Sequence, residues 1–448
     1  MGAMPSDSPT PIPSPRPSLP EPPQEPPTLR VRVARVPDGH PAAGVALPDL
    51  LPDPRDVLAW LGERARLVGW GQALRLDVEG RHALRSVARA WDDIRRRAIV
   101  EDASSDGAPP RDASLAAPVA LGSFGFAWAT PGLLVVPEVL VIEDEGGRRV
   151  VTASTSGRPP EPLAALEESL RRRQAHPVAA PAGLWTQTGR MTQNQWMESV
   201  RRLIGRLRGG AASKVVMSRD MVVSAARPVD HRHLLSRLHA LYPTTWAYAV
   251  GGLVGATPEM LASMRDGRVT SRVLAGTLAP GQGERLMASL KDRTEHMLAV
   301  ESVARALAPI AETLDVPDRP SVLDLPNVSH LATEVTATLR TENVLDVVAA
   351  LHPTAAVCGT PTALALDLLD TFESTRRGRY SGPVGWIDAT GEGEFGIALR
   401  CGQIADDGLS VRVFAGGGIM PDSVPEVELA ETRAKMAPVL QALGVEQG

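Results

Sequence analysis

Lysine is nearly missing from this chain. Its 448 residues hold 47 lysines and arginines together, and three of these are lysines: Lys214, Lys291 and Lys435. Arginine therefore serves almost everywhere that a fixed positive charge is wanted. Its guanidinium stays protonated, so it excludes itself as a base, whereas a lysine can release its proton in suitable surroundings. Cysteine is equally scarce. Cys358 and Cys401 exclude a disulfide framework and a CxxC metal pair, and they suit a reducing cytoplasm. Aromatic residues are 4%, so Leu, Val and Ala must fill the core. No run of 18 apolar residues occurs, so no transmembrane helix and no membrane partner are expected. The N-terminus carries Pro and acidic residues where a signal peptide would have a basic and then an apolar stretch. A net charge of −5 argues against a nucleic-acid partner. The phosphate-loop, dinucleotide, nucleophile-elbow and HExxH zinc signatures are all absent.

Residues 1–28 are rich in Pro, Ser and Glu. They bury too little to offset ordering entropy and are predicted to be a disordered tail. Alternation predicts strands over 29–33, 133–142, 149–153, 214–223, 246–254, 269–275, 393–400 and 409–415. Helical spacing predicts helices over 56–67, 81–100, 192–208, 232–241, 294–314, 342–351 and 426–443. Loops are expected over 101–117, 156–162 and 176–190. Strand pairs mixed with helices, without βαβ alternation, indicate an α+β fold. His231, His233 and His239 cluster in sequence, but 231 and 233 do not share a helix face, so no metal site is expected there.

Three groups of residues suggest chemistry. Glu428, Glu431 and Lys435 lie on one face of the last helix. The plain reading is a solvated face with a Glu431–Lys435 pair, worth about 0.3–0.5 kcal/mol. The chemical reading is a divalent cation held by oxygen ligands, with Glu295 supplying a second element; such ligands suit Mg²⁺. The run Ala415-Gly416-Gly417-Gly418, read as a turn between strand and helix, offers backbone N–H groups to an anion. Arg400 closes a strand and can grip a carboxylate, with the Tyr380 hydroxyl beside it. Lys214 stands among Val215, Val216 and Met217, and Glu259 in GATPEML. Neutralising a free lysine at pH 7 costs about 4.6 kcal/mol, which burial and nearby cations can supply. A base and an acid on opposite sides of a substrate make addition of water with loss of hydroxide feasible.

Taken together, SKVVMSR (213–219), GATPEML (255–261), LAGT (274–277), KDRTEH (291–296), SHLATEV (329–335), HPTAAVCGTP (352–361), GRYSGPVGW (378–386), GEFGIALR (393–400) and AGGGIMPDSVPEVELAETRAK (415–435) resemble the chorismate-utilising enzymes. That family comprises isochorismate, salicylate, anthranilate and aminodeoxychorismate synthases. The matching stretches cover most of 190–440 in order. The N-terminal half matches more loosely, through features such as GSFGF (122–126). The resemblance implies one catalytic domain over 29–448, with two antiparallel sheets packed between helices. It implies chorismate as substrate and Mg²⁺ as cofactor. Glu295 and Glu431 resemble the metal-ligating glutamates, supported by Glu428. Tyr380, Arg400 and the Gly417–Gly418 backbone resemble the pocket for the enolpyruvyl carboxylate. Thr277 and His330 resemble residues that line the ring pocket, and Lys435 would balance charge near the metal.

Within the family, members that add ammonia usually have Gln where this chain has Lys214. The lysine therefore points to water as nucleophile, with Lys214 as base and Glu259 as the acid that protonates the departing C4 hydroxyl. Isochorismate synthase is the expected activity, feeding menaquinone or siderophore synthesis. Salicylate synthase is the alternative; such enzymes often have Thr where Ala356 stands here. An aminating synthase subunit is the less favoured reading, and no glutaminase partner is expected. A monomer is expected. AGGG in place of the family's usual AGAG should leave the expected turn intact.

Overall fold

The computed structural model describes residues 27–103, 115–127, 129–326 and 328–445. The expected disordered tail therefore lies outside the described residues except for its last two positions, and so does most of the expected 101–117 loop. The described chain builds a thirteen-stranded sheet and a ten-stranded sheet. The first sheet runs from Trp185–Thr188 through Lys214–Ser224, Ser410–Ile419, Cys401–Ile404, Leu253–Thr257 and Trp246–Val250 to strands of the N-terminal half, ending at Ile99–Asp102. The second centres on Ser329–Leu339, Arg268–Leu278, Met260–Arg265, Gly393–Ile397 and Pro383–Ile387. Pairing is antiparallel, save for Arg30–Arg35 beside Ile99–Asp102. The expected α+β architecture of two antiparallel sheets with helices is what the chain adopts.

Aliphatic side chains make the core, as the shortage of aromatics requires. One apolar cluster joins both sheets to the helices Ala83–Arg97, Gln193–Arg208, Leu290–Leu307 and Val344–Leu351. A second packs the first sheet against Pro162–Ala175, His231–Leu241 and Pro425–Leu443. The helix Gln193–Arg208 starts with a capping box, in which Thr192 Oγ1 accepts from Gln195 N and the Gln195 side chain accepts from Thr192 N.

Several predicted elements are corrected. Residues 56–67 are not a helix; they hold the strand Leu58–Leu61 and the start of Arg66–Trp70. All four residues of Leu58–Leu61 are buried, so both faces are apolar and no alternation betrays a strand. The predicted strand 246–254 is a hairpin, folded at Gly251 and Gly252, which both take positive φ, 57° and 77°. The 133–142 run is likewise two strands, Gly132–Val136 and Val139–Asp144. The helix expected over 294–314 ends at Leu307, and Ala311–Asp315 is a strand. The helix expected to reach 100 stops at Arg97, followed by Ile99–Asp102 as a strand. Trp185–Thr188, expected as loop, adds an edge strand, and the helix Pro162–Ala175 was not foreseen.

The glycine run is the most consequential correction. Gly416, Gly417 and Gly418 are not a turn. They lie inside the strand Ser410–Ile419, paired with Ser218, Met217 and Val216 of the neighbouring strand.

Candidate active site

Two chain crossings between the sheets create the site. The chain leaves the first sheet at Thr257 and enters the second at Met260, and Glu259 sits in that step. It returns from the second sheet at Ile397 to the first at Cys401, and Arg400 sits in the return. Arg400 takes a left-handed φ of 47°, a conformation rare for a residue with a side chain. The two crossings are bonded to each other: Ile397 N–H donates to Glu259 O, and Ala256 N–H to Arg400 O. A buried acid and a buried arginine are thus fixed at one place between the sheets.

The cavity there has a volume of about 590 Å³ when the open solvent at its mouth is included. Lys214, Glu259, Thr277, Glu295, His330, Tyr380, Arg400, Gly418 and Lys435 all line it. Nine of the residues singled out in the sequence, scattered over more than 200 positions, therefore share one wall. Glu428, Glu431 and Gly417 are not part of that lining. Gly416 of the glycine run is, and so are Ser381, Leu274, Val357 and Leu399, which were not foreseen. Ser381 could have been suspected only from its setting in GRYSG, since its positive φ of 62° leaves no mark in composition. Ala356 also lines the cavity.

The glycine strand is the floor. A Cβ placed on Gly418 would stand 2.7 Å from Glu295 Oε1 and 2.8 Å from Lys214 Cε. On Gly417 it would stand 3.2 Å from Glu428 Oε2, and on Gly416 3.2 Å from the Tyr380 hydroxyl. Glycine here makes room for site side chains to approach backbone, which replaces the expected role of a turn. Gly276, at φ 76°, does a different job. It forms a bulge in Arg268–Leu278. The register shift sets Thr277 opposite His330, with Thr277 Oγ1 3.1 Å from His330 Nδ1.

Charge in the site is arranged in pairs. Lys214, 2% exposed, has its Nζ 2.8 Å from Glu295 Oε1. Lys435 Nζ lies 2.5 Å from Glu431 Oε1 and also donates to Gly416 O. Lys291 Nζ lies 3.9 Å from Glu428 Oε1, which accepts from the Ser423 hydroxyl at 2.7 Å. Each of the chain's three lysines therefore faces a different one of three glutamates. Lys214 is not an edge charge and Arg400 is not a solvent-facing arginine, since both are buried.

Burial pushes Glu259 up to about 8, against the pull of Lys214, Arg400 and Lys435, so its carboxyl holds its proton at neutral pH. Burial, and then the charge of Glu431, raise Glu428 to about 7. Burial also opposes charge on Glu295, but Lys214 beside it leaves that carboxyl below the usual range. His330 is held neutral by burial and by Arg400. Its Nε2 lies 3.2 Å from an Arg400 Nη2 donor. Arg400 Nε is buried and has no protein partner, which makes it a donor waiting for an acceptor in the cavity.

Glu295, Glu428 and Glu431 offer oxygen only, the donor chemistry that suits Mg²⁺. Glu428 is raised by the charges of both other glutamates, and a divalent cation would relieve that repulsion. Among the described residues, no three His, Cys, Asp or Glu side chains stand grouped as a metal cage; a lysine ammonium lies against each glutamate instead. Among those residues, too, no helix is long and apolar enough to cross a membrane.

Comparison with known proteins agrees with this geometry. Residues 60–444 match the family described as chorismate binding enzyme. The salicylate biosynthesis isochorismate synthase of Pseudomonas aeruginosa is 30% identical, over 86% of this chain and 84% of that protein. The vibriobactin-specific isochorismate synthase of Vibrio cholerae is 31% identical, over 73% of this chain and 80% of that one. The solved structure of MenF, the menaquinone-specific isochorismate synthase from Escherichia coli, shares the fold with a TM-score of 0.74 at 23% identity, covering 94% of this chain and 95% of that one. The chain belongs to the chorismate-binding enzyme family.

Proposed function

We propose that this protein is an isochorismate synthase, converting chorismate to isochorismate by attack of water at C2 with loss of the C4 hydroxyl. The observation that carries the reading is a buried lysine and a buried, protonated carboxylic acid lining one cavity. Lys214 serves as the base that takes a proton from the attacking water, and to do so it must first give up the proton through which it pairs with Glu295. Glu259 gives its proton to the departing hydroxyl, and its raised value keeps that proton available at neutral pH. One proton is taken up and one is released, so the step needs no other reactant than water.

The remaining residues bind and orient. The unpartnered Arg400 Nε, the Tyr380 hydroxyl and the Gly418 backbone suit the enolpyruvyl carboxylate. His330 holds Arg400 through Nε2, and Thr277 holds His330, so the three act as one chain of support. Glu295, Glu428 and Glu431 would hold Mg²⁺, with Lys435 balancing their charge. When bound, the ion supplies positive charge for the ring carboxylate of the substrate. Residues 29–448 act as one catalytic unit, since each sheet is continuous across the two parts of the chain, Trp246–Val250 pairing with Leu58–Leu61 in one and Pro383–Ile387 with Ala120–Ser123 in the other.

Ala356 on the cavity wall favours this activity over salicylate formation. Incubation of purified protein with chorismate and Mg²⁺ tests it. Isochorismate without pyruvate is the expected outcome. Salicylate with pyruvate, or an amine that forms only with ammonium, would reject the assignment.

A further inference from the structure

The strand that begins with Lys214 has an incomplete outer edge. On one side it pairs along its length with Ser410–Ile419. On the other, Lys214 and Val215 pair with Thr360 and Gly359, and Met221–Ser224 pair with Trp185–Thr188. Between them, residues 216–220 have no strand partner on that side among the described residues. Buried backbone groups without partners are costly, so something else must meet them.

Side chains do so. Arg377 donates through Nη2 to Val216 O at 2.6 Å and through Nη1 to Val357 O at 2.8 Å. Glu373 Oε2 accepts from Ser218 N–H at 2.6 Å. The two side chains also grip each other, Nε to Oε1 at 2.7 Å and Nη2 to Oε2 at 2.8 Å. Both are buried, with 3% and 5% of their side chains exposed. The guanidinium lies 4.0 Å from the centre of the Phe126 ring. Trp196 Nε1 adds a further bond to this edge by donating to Ser218 O. Val216 and Val357 line the cavity, and the Arg377 carbonyl accepts from Tyr380 N–H.

We infer that the Glu373–Arg377 pair is a positioning unit for the reaction, standing in for a missing strand. It fixes the strand that carries Lys214 against the wall at Val357 and the turn that carries Tyr380. Neither side chain reaches the cavity, so the pair acts through those residues. A planar fork is required, because one cation must serve two carbonyls in different segments and a carboxylate. This inference rests on the proposed function, in which Lys214 must aim at the attacking water.

The test uses Arg377→Lys and Glu373→Gln in the full-length protein. Each is measured for melting temperature, for kcat and KM with chorismate and Mg²⁺, and for amide exchange at Ser218. The expected result is a folded protein with faster exchange at Ser218, kcat lower by about 10–100-fold and KM changed by less than about 3-fold, since misplacement of about 1 Å has that cost. Folded variants with unaltered kcat, or with a lowered melting temperature as their one change, would overturn it. If neither variant folds, Phe126→Leu removes the ring beneath the guanidinium without breaking an edge bond and is read by the same criteria. Wild-type protein that does not turn over chorismate would instead defeat the proposed function, which separates the two failures.

Discussion

Lys214 and Glu295 form a buried ion pair, Nζ to Oε1 at 2.8 Å, directly above Gly418. The proposed base and a proposed metal ligand are thus in contact. Lys214→Ala should lower kcat by about 10³–10⁴-fold, the upper part of the range for general acid–base catalysis. The protein should stay folded, because the removed group faces a cavity and not close-packed core. Steady-state kinetics with circular dichroism checks this. Near-normal kcat would remove the base from the account.

Glu259 sets an alkaline limit. It must be protonated to donate, and its value is about 8, so kcat/KM should fall as pH rises through that region. Glu259→Gln should lower kcat by about 10²–10⁴-fold, and its residual activity should show no such limb. Stability follows the same group. Its folded value lies above the ordinary 4.5, so the folded state binds the proton more tightly. The resulting stability is full below about pH 4.5 and is lost as pH rises to about 8. Melting temperatures of wild type and Glu259→Gln, compared at pH 5 and pH 8.5, should show the decline flattened in the variant.

Gly418→Ala should be the most damaging change in the glycine strand, because its Cβ would lie within 3 Å of both Glu295 Oε1 and Lys214 Cε. A loss of about 10–100-fold in kcat is expected for such displacement. Gly416→Ala meets the Tyr380 hydroxyl at a milder 3.2 Å and should lose less. Equal effects of the two in a parallel kinetic assay would contradict this view of the floor.

Glu431→Gln should raise the half-saturating Mg²⁺ concentration by at least about tenfold, a loss of the size caused by weakening a metal's surroundings. Titration of activity with Mg²⁺, and of bound metal by calorimetry, checks it. An unchanged titration would count against Glu431 as a ligand.

The site was legible in part because some residue types are unusual in this chain, while Thr277 and His330 were reached only through the resemblance to the chorismate-utilising enzymes. Three lysines among 47 basic residues stand out, and each meets a glutamate. The geometry behind them was not. The run of three glycines reads as a turn by composition, yet it is a strand whose missing side chains admit Glu295, Glu428 and Tyr380. Only long-range pairing with residues 216–218 reveals that. Arg400 reads as the last residue of a strand, while its left-handed backbone turns it into the cavity at a sheet crossing. Leu58–Leu61 was hidden for the opposite reason, burial on both faces erasing the period of two. Glu373 and Arg377 went unnoticed because an i, i+4 pair looks like ordinary surface charge until its burial is known.

Attack by water and departure of the C4 hydroxyl make the central claim, and the origin of one oxygen atom tests it. Turnover of chorismate by the purified protein in ¹⁸O-labelled water, followed by mass spectrometry of the product, should place one solvent oxygen at C2 of isochorismate. Product formed without solvent oxygen at C2 would mean that the hydroxyl migrates within the substrate, and Lys214 would have no water to activate.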